Sequence, residues 1–439
     1  MIYVQLKIIF VASLSVIGAF VGSIVGGIQA EYLGRKKSLI VGNLILFSGL
    51  MCIWWAQGIP LLFVGRFLGG FGNGSNTCCI GPYTGEVCQP GLRKITGILG
   101  VLIHSIGYAS FYVLGIYFHW RDIILAFVWW PIFCCILMVF CPESPSWLME
   151  KGKSEDSKNS LVRLRQDVEV VERDIERISS NLEKQKLQHH ATFHDKSYFT
   201  AIFGILRQGT FLRPFVLLSV LVTVGLDFTG EPAMSYYLTQ TLSKLKLPLT
   251  PEVASAIVAS NRLVLAGCVM ILAGIVPRRR LYISGCLCSG MGCLIFAILN
   301  YLQDNSIYFN TLENDYPVIK WTPFIPIFLI NIGAGLLVPI TFTLMGELLP
   351  SNLRSFGSGI LSAISYISLF TAVKAPPLVQ ENIGIDGLYF IFFGCCILLF
   401  FVAYFCVPET FGVPLEDIED HYRSFNKDTR RMSIIDTHV

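Results

Sequence analysis

The stretch PESPSWLMEKGKSEDSKNSLVRLRQDVEVVERDIERISSNLEKQKLQHHATFHD, residues 142–195, decides the fold because it is strongly polar in an otherwise apolar chain. It opens a segment that continues to about Arg213 and carries eleven Lys or Arg and eleven Asp or Glu residues up to Arg207. Its apolar residues recur at helical spacing and leave charged faces for water. They are Leu161, Leu164, Val168, Val171, Ile175, Ile178 and Leu182. Such a segment cannot lie in lipid, so it predicts a water-facing helical linker between two membrane-embedded halves.

The composition indicates an integral membrane protein with many spans. Of 439 residues, 53% are hydrophobic and only 14% are charged, whereas soluble domains average roughly 25% charged residues. The mean hydropathy is +0.61. The adjacent cysteine pairs lie within apolar runs and behave as small hydrophobes, and no CxxC pair indicates a metal or redox site.

Apolar runs of about 20 residues, the length a bilayer span requires, predict five spans before the linker and six after it. They lie near 8–30, 38–57, 61–82, 95–116, 120–141, 212–237, 252–276, 280–301, 322–346, 355–378 and 386–407. Lipid forbids unpaired backbone groups, so the spans are helices and the fold class is all-α. The predicted domains are an incomplete N-terminal bundle (1–141), the linker (142–211), a C-terminal bundle (212–407) and a tail (408–439).

The placement of Lys and Arg predicts the orientation, because cytosolic loops carry an excess of both. A cytosolic linker also puts the clusters at 35–37, 93–94 and 278–280 and the basic tail on the cytosolic side. We therefore expect a multi-pass protein of the plasma membrane with a cytosolic linker and C-terminus.

Three motifs occur once in each half of the chain. A basic triplet recurs after 243 residues, a Glu…Pro…Arg motif after 261, and Pro-Glu-Ser/Thr after 266. The pairs begin at Arg35 and Arg278, at Glu86 and Glu347, and at Pro142 and Pro408. Parallel repeats of this kind predict two pseudo-symmetric bundles. Because two spans precede the second triplet and one precedes the first, we expect a twelve-helix plan whose first helix is missing.

In this order and spacing, the motifs resemble the sugar-porter branch of the major facilitator superfamily, which includes facilitative glucose transporters and insect trehalose transporters. The matching residues are Gly27…Glu31-Tyr32-Leu33-Gly34-Arg35-Lys36, Gly65-Arg66, Pro82-Tyr83…Glu86…Pro90…Arg93, Pro142-Glu143-Ser144-Pro145-Ser146-Trp147-Leu148, Glu347…Arg354 and Pro408-Glu409-Thr410-Phe411-Gly412. The resemblance implies the major facilitator fold and alternating access to a central site.

The resemblance also implies a role for charged residues at the cytosolic ends of the helices. Carboxylates and guanidinium groups there pair when the cytosolic side is closed and separate when the halves rock apart. Each exposed pair contributes about 0–1 kcal/mol, so a network biases the two states without freezing either. The implied gating residues are Glu31, Arg35, Glu86, Arg93, Glu143, Glu347, Arg354 and Glu409. The alternative is that basic residues only set topology, and it is favoured at 278–280, where Gly274 and Pro277 replace the family's Asp and Gly.

The predicted solute path departs from the family pattern. The seventh helix of the family carries Gln-Gln-x-Ser-Gly-x-Asn-x-x-x-Tyr-Tyr, and the corresponding stretch here is LDFTGEPAMSYY, residues 226–237. Both Gln and the Asn are lost, which removes amides that would hydrogen-bond sugar hydroxyls. At other family positions the substrate-binding residues become His104, Phe342, Ser365 and Tyr366. The resemblance implies substrate binding at these positions and at Thr229, and an external gate formed by Tyr236 and Tyr237.

Charge replaces the lost amides. Asp227 and Arg262 lie about 21 and 24 Å from the cytosolic ends of consecutive antiparallel helices, at nearly one depth. A lone charge in the bilayer costs several kcal/mol, so we predict that the two residues pair or share a water-filled cavity with His104. The alternative is a pair that only locks two helices together. Glu231, one turn outward, lies beside Gly230 and Pro232, where a helix break is expected.

The sequence therefore predicts a facilitative transporter of a small polar solute, with a sugar or polyol as the expected substrate. Two alternatives remain: a non-transporting sensor or degenerate paralogue, and a proton-coupled carrier of another solute. No nucleophile–base pair converges on one depth, so no enzyme is expected. The histidines at 189, 190 and 194 lie in the polar linker without a scaffold, so no metal or other cofactor is expected. The expected partners are the solute and the lipid bilayer, with no nucleic acid, for a monomeric protein.

Overall fold

The structure, a computed structural model, describes residues 2–88, 90–165, 168–193, 209–245, 247–305, 317–349 and 354–410, and within them it is built from helices. The N-terminal half contains α1 (Ile2–Leu33), α2 (Arg35–Trp54), α3 (Ile59–Val87), α4 (Pro90–Tyr117), α5 (Trp120–Phe127) and α6 (Trp130–Phe140). The linker contains α7 (Pro145–Glu150), α8 (Ser154–Arg165) and α9 (Val168–Phe193).

The C-terminal half begins with α10 (Gly209–Val222), which passes into a π-helical turn (Thr223–Asp227). The helices that follow are α11 (Glu231–Tyr236), α12 (Leu238–Lys244), α13 (Pro251–Ile275), α14 (Arg278–Asn305), α15 (Phe324–Leu348) and α16 (Arg354–Cys406), with a 3-10 turn (Pro317–Trp321) before α15. Inside α16, Gly384 has a φ of 80°, so two helices meet there at a kink.

Nine stretches of the described residues are long and apolar enough to cross a membrane. The last of them, Gly357–Cys406, has 50 residues and contains the kink at Gly384. It therefore covers the two predicted spans near 355–378 and 386–407. The predicted span near 61–82 lies within α3, which has 29 residues but is not among the nine. The all-helical membrane fold is confirmed.

Close backbone contacts hold the N-terminal bundle together. α3 lies between α1 and α2 and packs along both. A Cβ atom added to Gly70 would lie 1.9 Å from the Ser15 carbonyl oxygen of α1, and one added to Gly74 would lie 2.0 Å from the Ala19 carbonyl oxygen. Small residues allow such contacts between helices in lipid, where no hydrophobic force drives association.

The C-terminal bundle has two apolar clusters. The linker-side cluster takes residues from α10, α14, α15 and both parts of α16, and includes Leu218, Tyr282 and Leu337. The far-side cluster lies toward the other ends of α14, α15 and α16 and includes Met234 and Phe296. Along the broken helix, Leu226 is the last residue of the first cluster and Ala233 is the first residue of the second. Three of the intervening residues 227–232, Asp227, Thr229 and Glu231, have buried polar side chains and form a polar layer at the break.

Two seams join the halves: α1 packs on α16, and α4 packs on α13. The linker folds back onto the end of the N-terminal half from which it emerges. The indole Nε1 of Trp147 donates to the Glu31 carbonyl at 2.9 Å, and Arg165 donates to the Val87 carbonyl at the end of α3 at 3.0 Å. Arg165 also pairs with Asp174 at 2.9 Å. The predicted helical linker is thus packed against the bundle that precedes it.

The α1–α3 contact gives a testable prediction about stability. Gly70→Ala places a methyl group against a rigid backbone carbonyl and should lower stability by about 1–3 kcal/mol, the usual cost of overpacking. Gly69→Ala is the matched control, since a Cβ there meets nothing within 4 Å. The measurement is the thermal unfolding midpoint in detergent. Equal midpoints for the two variants would contradict the close packing described here.

Candidate solute site and cytosolic ion pairs

The helix that leads into the site is broken near its middle. The π-helical turn ends at Asp227, and Gly230 has a φ of 84°, in the left-handed region that glycine adopts without strain. Gly230 caps α11, and Pro232 sits in the first turn, where its missing N–H costs no helical hydrogen bond. The predicted break beside Gly230 and Pro232 is confirmed. Non-helical backbone at this depth occurs where it is buried in protein or lines a cavity.

An ion pair follows the break directly. Arg262 on α13 pairs through Nη1 with Oε1 of Glu231, and the same Nη1 lies 3.3 Å from the Ser235 hydroxyl. Ser235 donates to Glu231 at 2.5 Å, so the three side chains form a closed network. The side chain of Glu231 is 8% exposed and that of Arg262 is 24% exposed. Arg262 pairs with Glu231 rather than Asp227, so the first form of the prediction, an Asp227–Arg262 ion pair, is wrong. The alternative, a cavity shared by Asp227, Arg262 and His104, stays a prediction.

Helix α4 of the N-terminal half covers this network from across the seam. The Arg262 guanidinium lies 5.1 Å from the centre of the Tyr108 ring, a cation–π contact. The Tyr112 hydroxyl donates to the Ser235 carbonyl at 3.3 Å. His104, one turn earlier, lies within electrostatic reach of Arg262 and Glu231. The structure thus brings His104, Glu231 and Arg262 together, as expected for one site.

The tyrosine pair lies at the outer end of the break. The Tyr236 side chain is 43% exposed, and it interacts electrostatically with Arg66 of the N-terminal half as well as with Glu231. Charged groups of both halves flank it, so it faces the space between the bundles. Tyr237 instead donates to the Val373 carbonyl at 2.9 Å, within its own half.

The remaining predicted solute residues occupy different surroundings. Thr229 is fully buried in the break. Tyr366 on α16 contacts Thr77 of α3 across the seam between the halves. Phe342 lies on α15 with its ring 53% exposed, and Ser365, beside Tyr366, is half-buried. Among the described side chains, no hydrogen bond, ion pair or ring contact joins Phe342 or Ser365 to the ion-pair network.

The internal repeat is visible in both halves where the helices that carry the basic clusters, α2 and α14, begin. Glu143 accepts the backbone N–H of Lys36 at 2.9 Å, at the start of α2. Glu409 accepts the backbone N–H of Arg278 at 3.0 Å, at the start of α14. A carboxylate at a helix N-terminus satisfies free N–H groups and interacts favourably with the helix dipole. The repeated Pro-Glu-Ser/Thr motif therefore places one carboxylate cap in each half.

Two ion pairs accompany these caps. Arg35 pairs with Glu86 at 3.5 Å, and Glu86 also accepts a hydrogen bond from the Ser144 hydroxyl. In the other half, Arg278 pairs with Glu347. Arg278, for which the topology-only interpretation is favoured, therefore has a carboxylate partner, and its role in gating stays a prediction. The basic side chain finds its carboxylate on the neighbouring helix even though the family's Asp and Gly are absent.

Other predicted gating residues are placed differently or cannot be described. Glu31 is exposed, and its carbonyl rather than its side chain receives Trp147. The side chains of Arg93 and Arg354, the histidines of the linker and the tail from residue 411 lie outside the described residues. Where the structure describes side chains, no three His, Cys, Asp or Glu residues are grouped as a metal site requires.

Sequence reasoning missed Tyr108, Tyr112 and Ser235. The signal was present, because residues 104, 108 and 112 are spaced by four and share one face of α4. Ser235 likewise follows Glu231 by four residues. Aromatic residues at helical spacing are also common at ordinary helix contacts, so this spacing alone did not distinguish them.

Comparison with solved structures defines the class of protein. The major facilitator superfamily proton:xylose symporter XylE, bound to 6-bromo-6-deoxy-D-glucose, superimposes with a TM-score of 0.73 at 18% identity, covering 94% of this chain and 89% of that one. An inward-open structure of the xylose transporter XylE from E. coli gives a TM-score of 0.71 at 18% identity over 94% of this chain and 89% of that one. The fold is thus that of a major facilitator transporter.

The chain belongs to the Sugar (and other) transporter family, whose pattern matches residues 3–422. It is 26% identical to "Facilitated trehalose transporter Tret1" of Apis mellifera ligustica, over 97% of this chain and 81% of that protein. It is 28% identical to "Solute carrier family 2, facilitated glucose transporter member 6" of Mus musculus, over 96% of this chain and 82% of that protein. The resemblance to sugar porters is confirmed.

The ion-pair network gives a double-mutant prediction. Glu231→Gln or Arg262→Gln alone leaves an uncompensated charge and should lower stability by about 3–5 kcal/mol. The double variant should lose less than the sum of the two losses. The measurement is the thermal unfolding midpoint of each purified variant.

The exposed linker pair Glu169–Arg173 is the matched control, with an N···O distance of 3.9 Å and side chains 87% and 71% exposed. The same two Gln substitutions there should change stability by less than about 0.5 kcal/mol. Additive losses at Glu231 and Arg262 would contradict the pairing.

Proposed function

We propose that the chain carries a sugar or a related polyol across the plasma membrane by facilitated, alternating access. The observation that carries this proposal is the Glu231–Arg262–Ser235 network, which lies at a helix break beside the seam between two bundles. Family membership and the printed names of the trehalose and glucose relatives support a sugar as solute.

The network has suitable chemistry for a polyol. A carboxylate accepts hydrogen bonds from hydroxyl groups, a guanidinium donates several in a fixed plane, and the Ser235 hydroxyl does both. Tyr108 and Tyr112 add an aromatic surface and further hydroxyls from the opposite half. A solute bound here contacts both bundles, so its affinity differs between the two states of the transporter, as a population shift requires.

The proposed solute site combines residues from both halves. From the C-terminal half it takes Asp227, Thr229, Glu231, Arg262, Phe342, Ser365 and Tyr366, and from the N-terminal half His104, with Tyr236 and Tyr237 as the outer gate. Tyr236 is the better supported gate residue, since it faces the space between the bundles, whereas Tyr237 is engaged by Val373.

The cytosolic ion pairs serve as the inner gate in this proposal. Arg35–Glu86 and Arg278–Glu347 each join helices of one half, and Glu143 and Glu409 fix the starts of α2 and α14. Glu31, Arg93 and Arg354 complete the set at the same cytosolic ends. Because both pairs lie within one half, they do not break when the halves rock; they hold each cytosolic end in the shape that meets the other half, and each partly exposed pair contributes little.

The proposed topology has eleven spans, with linker and tail in the cytosol. It divides the stretch that ends at Cys406 in two at Gly384 and includes α3 as a span. A monomer is sufficient for this mechanism, because the site forms between the two halves of a single chain.

Uptake in proteoliposomes tests the proposed function. Wild-type protein should take up radiolabelled trehalose or D-glucose saturably, and unlabelled solute inside the vesicles should accelerate that uptake. The Glu231→Gln/Arg262→Gln double variant should lose uptake about tenfold or more, because hydrogen bonds to charged groups contribute roughly 1.5–3 kcal/mol each.

The matched control is the double Gln variant of Glu169 and Arg173 on the linker, which should transport like wild type. Absence of uptake by folded wild-type protein for sugars, polyols and organic ions would favour the non-transporting alternative. Unchanged uptake by the Glu231/Arg262 double variant would remove this network from the solute site.

An epitope tag tests the orientation. A tag inserted after Gly152, in the exposed turn between α7 and α8, should bind antibody only after the cells are permeabilised. A tag after Leu249, between α12 and α13, should bind it on intact cells. The reverse pattern would overturn the proposed topology.

A further inference from the structure

The helix break contains two buried polar atoms that have no partner. The Asp227 side chain is 3% exposed, and its Oδ2 has no hydrogen-bond partner. Thr229 is 0% exposed, and its Oγ1 also lacks a partner. A bare carboxylate buried in this way costs several kcal/mol. The Asp227 oxygen therefore requires a proton or a bound cation.

One hydroxyl group lies beside the Asp227 side chain. The Ser368 hydroxyl of α16 lies within hydrogen-bonding distance of the Asp227 side chain and 3.3 Å from the Thr223 carbonyl. The π-helical turn and the left-handed Gly230 also take backbone carbonyls out of the regular helical pattern. Carbonyls at an interrupted membrane helix are suited to binding sodium ions or protons.

Charged and titratable groups around Asp227 do not supply a counter-charge. On its own segment lie Glu231, which Arg262 neutralises, and Tyr236, beyond which lies Arg66 of α3. From α14 come the Tyr282 hydroxyl, packed on Gly225, and the Cys293 thiol, which donates to the Thr229 carbonyl at 3.4 Å. The residues of α10 and α15 next to the π-helical turn belong to the linker-side apolar cluster. Within the described part of the chain, no Lys, Arg or His forms an ion pair with Asp227.

We propose that Asp227, Thr229 and Ser368 form a site for a small monovalent cation, either a proton or a sodium ion. The site lies in the polar layer between the two apolar clusters of the C-terminal bundle. The bound cation neutralises the Asp227 carboxylate, for which the surrounding residues supply no counter-charge. Exchange of the cation requires the break to open. Given the proposed transport function, cation occupancy then biases the rocking of the bundles.

Cation-dependent stability tests the site without any solute. Purified protein in detergent is melted across a pH series, and separately across NaCl concentrations balanced by choline chloride at constant ionic strength. Wild type should be stabilised by acidification if the site holds a proton, or by sodium at constant pH if it holds that ion. Asp227→Asn, a neutral isostere, should lose this dependence and be more stable than wild type where the site is empty.

Asp122→Asn is the matched control, because it makes the same chemical change at an exposed carboxylate at the start of α5. It should respond to pH and sodium as wild type does. The proposal is overturned if Asp227→Asn keeps the wild-type response, or if wild type responds to neither cation.

If Asp227→Asn does not purify folded, wild type alone decides the question. A carboxylic acid C=O band that persists in its infrared spectrum near pH 7, where exposed Asp and Glu residues with pKa values of about 4 are ionised, indicates a proton, and bound radioactive sodium at constant pH indicates sodium. Ser368→Ala should weaken either signal, and the absence of both signals overturns the site. Because no sugar is present, failure here leaves the transport proposal intact, and failed sugar uptake leaves this site intact.

Discussion

Lipid offers no hydrogen-bond partner to a polar atom, and this constraint governs where the charged residues of the spans lie. Glu231 and Arg262 pair with each other and with Ser235, and Tyr108 covers the guanidinium from the opposite half. The clusters on either side of the break are mainly apolar. The charge network lies beside the seam between the halves, where the proposed mechanism lets a solute reach it from either side of the membrane.

The two kinds of packing have different consequences for motion. Backbone contacts through glycines tie α1 to α3 and make the N-terminal bundle rigid, and apolar clusters do the same for the C-terminal bundle. Across the other seam, α4 instead makes a cation–π contact with α13, Tyr108 to Arg262, and a 3.3 Å hydrogen bond with α11, Tyr112 to Ser235. Such contacts contribute about 0.5–2 kcal/mol each. Rigid bundles with a weak polar seam suit the proposed rocking mechanism.

The internal repeat also has a physical meaning. In each half, a glutamate just after the last span caps the helix that carries the basic cluster. Glu143 caps α2, and Glu409 caps α14. Basic side chains of the same clusters reach backbone carbonyls of those last spans, Lys36 to Val139 and Arg279 to Tyr404. The same contacts therefore hold the cytosolic ends of both halves.

The amino-acid sequence alone determined the membrane-embedded helices, the polar linker, the repeated cytosolic motifs and the break beside Gly230, because apolar length, charge and backbone-breaking residues act locally. It also brought His104 and Arg262 to one predicted site. Only the tertiary structure decided which carboxylate Arg262 meets, that Arg278 pairs with Glu347, and that Tyr108 and Tyr112 cover the network. Helical spacing gives depth along an axis, whereas pairing depends on how each helix is rotated. Arg262 therefore meets Glu231 rather than Asp227, and Asp227 is buried without an ion-pair partner among the described residues.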